Sequence, residues 1–273
     1  MKLFEKIRWY LMNLRNLFIA SIRIFTHCLL HPRKMGSLFF SFFSILNEFY
    51  QSSYGGLHNF EDTDFFKKLK ENLIFARCNT FNAELVVTRI GETQVLAALV
   101  VQLQPSSVFE IGTYNGFTTL HFAYNTPDDA VIYTLDLPPD YEIRTKSDKS
   151  NYSYDDFLVV ELSKQNINSR IFKKDRHGQK IKELFGDSMN YDFFPYYGKI
   201  DLVFIDGNHS YPFVRSDTEN AFKMLSARGV IIWHDFDYII HRDVFKYLNS
   251  LVEFHKIYHI PGTRFAIFGK KLL

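Results

Sequence analysis

The spacing of apolar positions changes character along the chain. Over residues 4–29 it is helical: Phe4, Ile7, Leu11, Leu14, Phe18, Ile22, Phe25 and Leu29 fall on one face. His31-Pro32 should close that helix, because a residue preceding proline is driven out of helical geometry. Residues 37–50 are apolar nearly all round and predict a second, shorter helix. The stretch from Gln51 to Gly56 reads as a linker. These signals predict a helical N-terminal extension over residues 1–57 and a second domain over 58–273. An exposed connecting helix is expected over 61–80 and a longer periodic one over 84–104, ended by Pro105.

Beyond Pro105 short apolar runs alternate with helical segments. Strands are expected at 107–111, 131–137, 181–186, 200–205 and 230–233. Helices are expected at 117–124, 157–165, 212–226 and 243–254. A hairpin-like pair, 255–259 and 264–268, closes the chain around Pro261-Gly262. The polar stretch 138–155 reads as a long loop, either a lid over an acceptor, carrying Tyr141, Tyr152 and Tyr154, or a disordered surface insertion. Such alternation predicts an α/β fold with a doubly wound, mostly parallel seven-stranded sheet.

Composition narrows the function classes. A net charge of +2 over 273 residues gives no basic domain of the kind that binds nucleic acid. The charge is uneven, since residues 1–57 hold seven Lys/Arg against two Glu, a local excess of +5. Cys28 and Cys78 have no metal-type spacing, so a reducing, cytoplasmic location is expected. Arg15 and Arg23 interrupt what would be the apolar region of a signal peptide. The longest uncharged apolar run, 35–47, is shorter than the ~20 residues that span a bilayer.

Chemistry gathers at the predicted strand ends, which in an open α/β sheet face the ligand crevice. The first strand runs into Glu110-Ile111-Gly112-Thr113-Tyr114-Asn115-Gly116-Phe117-Thr118. This glycine-bearing turn has the spacing G-x-x-x-G and lacks the G-x-G-x-x-G of dinucleotide binders. An acid at Glu110 suits a cofactor amino group and would repel a pyrophosphate. Asp136 closes the second strand, where a carboxylate can accept ribose hydroxyls. Asp187 follows the third, in reach of an adenine amino group or acting as a turn residue. The fourth strand ends in Ile205-Asp206-Gly207-Asn208-His209-Ser210-Tyr211 and the fifth in Trp233-His234-Asp235. Two acids and two imidazoles there suit proton transfer or a hard cation.

These motifs resemble class I S-adenosylmethionine-dependent methyltransferases, in the small-molecule O-methyltransferase-like branch with I-D-G-x-H-x-Y, a helical Asp (here Asp217) and G-G-x-I-x-x-H-D. The resemblance covers about residues 84–270. It implies that Glu110, Gly112, Asn115, Gly116, Thr118, Asp136, Asp187 and Asp206 bind the cofactor. It further implies catalytic roles for Asp206, His209 and His234, and Asp206 and Asp235 as ligands of Mg²⁺ or a similar cation. Two departures stand out: Phe236 occupies the place of a third, Asn ligand, and Arg228 replaces the first Gly of the usual pair. The implied activity is methyl transfer to a small-molecule hydroxyl, with sugars first. A nicotinamide-dependent oxidoreductase and a non-catalytic scaffold are the rival readings.

Residues 1–57 are expected to attach the chain to a second copy or to a membrane's inner face as a peripheral element. Arg8 and Arg15 flank the apolar stripe in either case. Packing, in a homodimer or within the chain, is the preferred reading, and for the homodimer deleting residues 1–57 is expected to reduce the solution mass to one chain. Sedimentation with anionic vesicles that disappears on deletion, at unchanged mass, would mark a membrane element instead.

Overall fold

The computed structural model describes residues 58–59, 63–65, 68–69, 90–142, 154–238 and 240–269. Residues 1–57, most of 61–80 and the centre of the 138–155 loop lie outside them. Eight strands form one sheet: β1 (His58–Asn59), β2 (Ser107–Ile111), β3 (Val131–Asp136), β4 (Ile181–Phe185), β5 (Ile200–Ile205), β6 (Leu225–Trp233), β7 (Tyr258–His259) and β8 (Ala266–Gly269). Their order is β1-β7-β8-β6-β5-β2-β3-β4. All neighbours are parallel except β8, which runs antiparallel to β6 and β7. The seven expected strands are present, and the two-residue β1 joins at the edge. Strand order reverses between β2 and β5, and that reversal opens a crevice at the carboxyl ends of the central strands.

Among the described residues the α-helices are α1 (Ile90–Leu103), α2 (Phe117–Asn125), α3 (Tyr154–Asn166), α4 (Tyr211–Met224) and α5 (Arg242–Leu251). Two-residue alternation sends strand side chains to two separate cores. Val108, Ile132, Leu202, Phe204, Val230 and Ile232 pack with Leu96 and Leu99 of α1 and Phe122 of α2. Phe109, Ile111, Val203, Ile205, Ile231 and Trp233 pack with Val214 and Met224 of α4 and Leu248 of α5. Every residue of β5 is buried, as expected of a central parallel strand covered on both faces.

The departure at Arg228 has a structural reason. β6 begins at Leu225, five residues before the apolar run that predicted it. Its polar start carries Ser226 and Arg228, whose side chains donate to Asp201 of β5, and Arg228 also donates to Ser106 Oγ. Asp201 in turn accepts from the Ser106 backbone N–H at 2.9 Å. The Arg228 guanidinium and these hydrogen bonds hold the Asp201 carboxyl below its ordinary range despite its partial burial. This clamp fixes the amino ends of β2, β5 and β6, and so the relative heights of the carboxyl ends that build the site.

Candidate active site

Where β2 ends, the chain must pass close to the loop after β5. The Ile111 carbonyl accepts from Asp206 N–H at 2.9 Å, and Gly112 N–H donates to Leu135 O at 2.9 Å. Gly112 has φ +99, and a Cβ on it would lie 2.0 Å from the Asp206 carbonyl oxygen. Only glycine fits there. Gly116 has φ +79, and a Cβ on it would meet the Phe172 ring at 2.4 Å. Asn115 Oδ1 accepts from Phe117 N–H at 3.0 Å, which starts α2 beneath the turn.

This turn forms one wall of a cavity at the sheet's carboxyl edge. Gly112, Asn115, Thr118, Asp136 and Asp187 line it on one side, and Asp206, Asn208, His209 and Asp235 on the other. Glu110, Gly116 and His234 are not in the lining. Glu110 is fully buried under the turn, where its Oε2 accepts from Thr119 and Thr134 at 2.5 and 2.6 Å. Its Oε1 has no partner. Burial pushes the Glu110 carboxyl up to about 8, against the pull of the two threonines.

Asp136 already accepts from four donors: Arg170, Ser163, and the backbone N–H groups of Tyr114 and Leu137. Burial raises its pKa, and the Arg170 charge opposes that rise. Arg170 is itself fully buried and bridges Asp136 to Glu183, with its Nε on the Tyr114 carbonyl. It thereby holds the ends of β3 and β4 to the glycine turn. Asp187 accepts from Met189 N–H and Asn190 Nδ2, so it is a turn residue that also lines the cavity.

The opposite wall rests on a buried ionic cluster. Glu92 of α1 accepts from Arg264 through its backbone N–H, Nε and Nη2. Arg264 Nη1 reaches Asp235 Oδ1, while His234 Nδ1 lies 3.0 Å from both Asp206 Oδ1 and Asp235 Oδ2. His209 Nδ1 meets Asp156 Oδ1 at 2.5 Å, and its Nε2 lies 2.8 Å from Asp235 Oδ2. Burial lowers the His209 pKa, but Asp156 and Asp235 outweigh it and raise it to about 10. Burial likewise opposes the charge on His234, yet Asp206 and Asp235 raise its pKa well above the ordinary value. Asp235 sits well below its usual range: burial works against the charge, but His234 and Arg264 outweigh it.

The implied Mg²⁺ ligands do not fit a hard cation. An imidazole nitrogen already lies 3.0 Å from both Asp206 and Asp235, and Arg264 takes the other Asp235 oxygen. The next residue, Phe236, is buried and stacked on Phe245, and supplies no oxygen. Glu92, Asp156, Arg170, His241 and Arg264 carry much of the site but were not expected from the sequence. Glu92 and Arg264 stand 172 residues apart, and no local pattern joins them.

Residues 109–236 match a family model described as a methyltransferase domain. A comparison with curated proteins finds no match. Among solved structures, an S-adenosylhomocysteine-bound methyltransferase of Podospora anserina is 19% identical. That match covers 79% of this chain and 91% of the other, with a TM-score of 0.48. An O-methyltransferase of Streptomyces achromogenes involved in tomaymycin synthesis is 14% identical, covering 81% and 93%, at 0.45. An O-methyltransferase of Bacillus cereus is 12% identical, covering 82% and 95%, also at 0.45.

The buried Glu110 carboxyl makes stability depend on pH. Its folded pKa of about 8 lies above the ordinary 4.5, so the folded state holds a proton that the unfolded chain releases. Its contribution is complete below pH 4.5 and is lost as pH rises towards 8, at about 1.4 kcal/mol per pH unit for one proton. Glu110→Gln is expected to remove that slope. Denaturant unfolding of both proteins between pH 5 and 8 checks it, and equal slopes would contradict a buried neutral Glu110.

Proposed function

We propose that this S-adenosylmethionine-dependent methyltransferase methylates a hydroxyl of a small polar acceptor, with sugar hydroxyls the foremost candidates. The methyltransferase domain over residues 109–236 supplies the enzyme class. The observation that carries the acceptor reading is the polar wall facing the glycine turn, made by Asp206, Asn208, His209 and Asp235. Such a wall favours an acceptor with several hydroxyl groups over an apolar one.

The donor half is assigned to the glycine turn, Asp136 and Asp187. The narrow Gly112 crossing lets a cofactor approach the backbone, and Asp136 stands at the strand end suited to ribose hydroxyls. In the transfer the sulfonium S–CH₃ bond breaks as the acceptor O–CH₃ bond forms, leaving a neutral thioether. The acceptor hydroxyl gives up its proton. Most of what the protein supplies is position, since holding two reactants in attack geometry removes several kcal/mol of the barrier.

Asp206 is assigned as the group that receives that proton. It lines the cavity as a carboxylate, and His234 orients it from behind through Nδ1. His209 is unsuited to be the base, because Asp156 and Asp235 keep it protonated up to about 10. His234 acts through Asp206 and is a positioning residue.

Incubating the full chain with methyl-labelled S-adenosylmethionine and a panel of sugars and phenols, followed by product analysis, tests the reading. Labelled sugar ethers are expected. Asp206→Asn should lower kcat by ~10²-fold or more with a small change in KM for the methyl donor, as loss of a general base does. Label appearing only on nitrogen or carbon acceptors, or full activity in Asp206→Asn, would contradict it.

A further inference from the structure

Helix α3 borders the cavity without belonging to either hydrophobic core. Asp156, Val159, Val160 and Ser163 line the cavity, and their spacing puts all four on one face of the helix. Among the described residues, neither core includes a residue of α3. Polar contacts hold that face at both ends: Asp156 Oδ1 meets His209 Nδ1 at 2.5 Å, and Ser163 Oγ donates to Asp136 Oδ2 at 2.6 Å. Ser163 is buried and had no expected role. We propose that Ser163 receives one ribose hydroxyl of the adenosyl cofactor while Asp136 receives the other. The assignment rests on the donor half proposed for this cavity, and it divides the sugar between β3 and α3.

Asp136 has too few free acceptor positions for both hydroxyls. Each oxygen of an ionised carboxylate can accept about two hydrogen bonds. Oδ2 already accepts from three groups: Tyr114 N–H at 3.1 Å, Ser163 Oγ at 2.6 Å and Arg170 Nη2. Oδ1 accepts from Leu137 N–H at 2.9 Å, which leaves it one position. The side chain keeps 13% of its surface open, so that position can be reached. A second hydroxyl needs another acceptor. Ser163 Oγ gives its own hydrogen to Asp136, and one of its lone pairs takes Arg170 Nη2 at 3.2 Å. Its other lone pair is uncommitted, on a residue that lines the cavity together with Asp136.

Arg170 keeps this array from turning. It is fully buried, with Nη1 on Glu183 at 2.7 Å and Nε on the Tyr114 carbonyl at 3.0 Å, so Nη2 can reach only the Asp136–Ser163 pair. Its charge fixes the Ser163 hydroxyl with the oxygen lone pair towards Arg170 and the hydrogen towards Asp136. Ser163 therefore meets a ligand as an acceptor, which suits a sugar hydroxyl and not a second carbonyl or phosphate oxygen. The division also has a mechanical consequence. The helix that receives the ribose through Ser163 is the one that holds His209, on the opposite wall, through Asp156. A bound ribose fastens α3 at one end, and α3 borders both halves of the cavity.

Calorimetric titration with S-adenosylhomocysteine and with its two deoxy forms, each lacking one ribose hydroxyl, tests the assignment on the full chain and on Ser163→Ala. The unsubstituted chain should bind each deoxy form more weakly than S-adenosylhomocysteine, by about fivefold or more. Ser163→Ala should weaken S-adenosylhomocysteine and one deoxy form by about fivefold each. It should leave the other deoxy form unchanged, because that ligand lacks the hydroxyl that Ser163 receives. Ser163→Cys, whose thiol is a weak acceptor of nearly the same size, is read in the same way if Ser163→Ala does not fold. A loss by the same factor for all three ligands would make Ser163 a support of Asp136 and no more, and would overturn the assignment. Unchanged affinity for all three would overturn it too. Absence of S-adenosylhomocysteine binding by the unsubstituted chain would overturn the donor reading itself, and the role of Ser163 with it.

Discussion

The two walls of the cavity are held together by one backbone crossing. The turn after β2 passes the loop after β5 so closely that no side chain fits at Gly112, and Ile111 and Asp206 are hydrogen-bonded across the gap. The glycine turn after β2 and the Asp206 carboxylate after β5 are therefore set at a fixed separation by the main chain. Side chains then tune a geometry they do not have to create. On the proposed reading, methyl transfer draws on this arrangement, because its barrier is governed by the approach and alignment of two bound molecules.

Behind the crossing, charge is handled in pairs and clusters. Burying ionised groups is costly unless each is matched, and removing one partner of a matched set is worse than lacking the set altogether. Arg170 meets this condition for Asp136 and Glu183, and Arg264 meets it for Glu92 and Asp235. Glu110 and Asp217 are exceptions among the described residues: each is fully buried with an unpartnered carboxyl oxygen, and burial pushes the two carboxyls up to about 8 and about 7. On the wall that carries Asp206 and Asp235 the carboxylates outnumber the permanent cations, and the imidazoles of His209 and His234 carry balancing charge as protons.

Much of the sheet was legible because its central strands are short, fully buried and bounded by turn residues. β2 and β5 begin and end where their apolar runs do. β6 was read five residues short, since Ser226 and Arg228 look like a loop until Asp201 is seen beside them. β1 was missed because two residues carry no periodicity, and the 3₁₀ turns over 167–180 for the same reason. Within the site, acids at strand ends announced themselves: Asp136, Asp206 and Asp235 all reach the cavity. Partners from distant segments did not. Arg170 lies in a polar stretch 34 residues from Asp136, and Asp156 meets His209 across 53 residues. Glu110 and His234 sit at legible positions, but only the packing reveals that they act from below the cavity floor.

The central claim is that the cavity beside Gly112 holds S-adenosylmethionine. Calorimetric titration of the full chain with S-adenosylhomocysteine, and separately with NAD, tests it most directly when repeated on Gly112→Ala. The account predicts binding of S-adenosylhomocysteine and no response to NAD. It also predicts at least about a tenfold loss of affinity in a Gly112→Ala protein that keeps its circular dichroism, since each tenfold is only ~1.4 kcal/mol. Binding of NAD in place of S-adenosylhomocysteine, or unchanged affinity in Gly112→Ala, would contradict it.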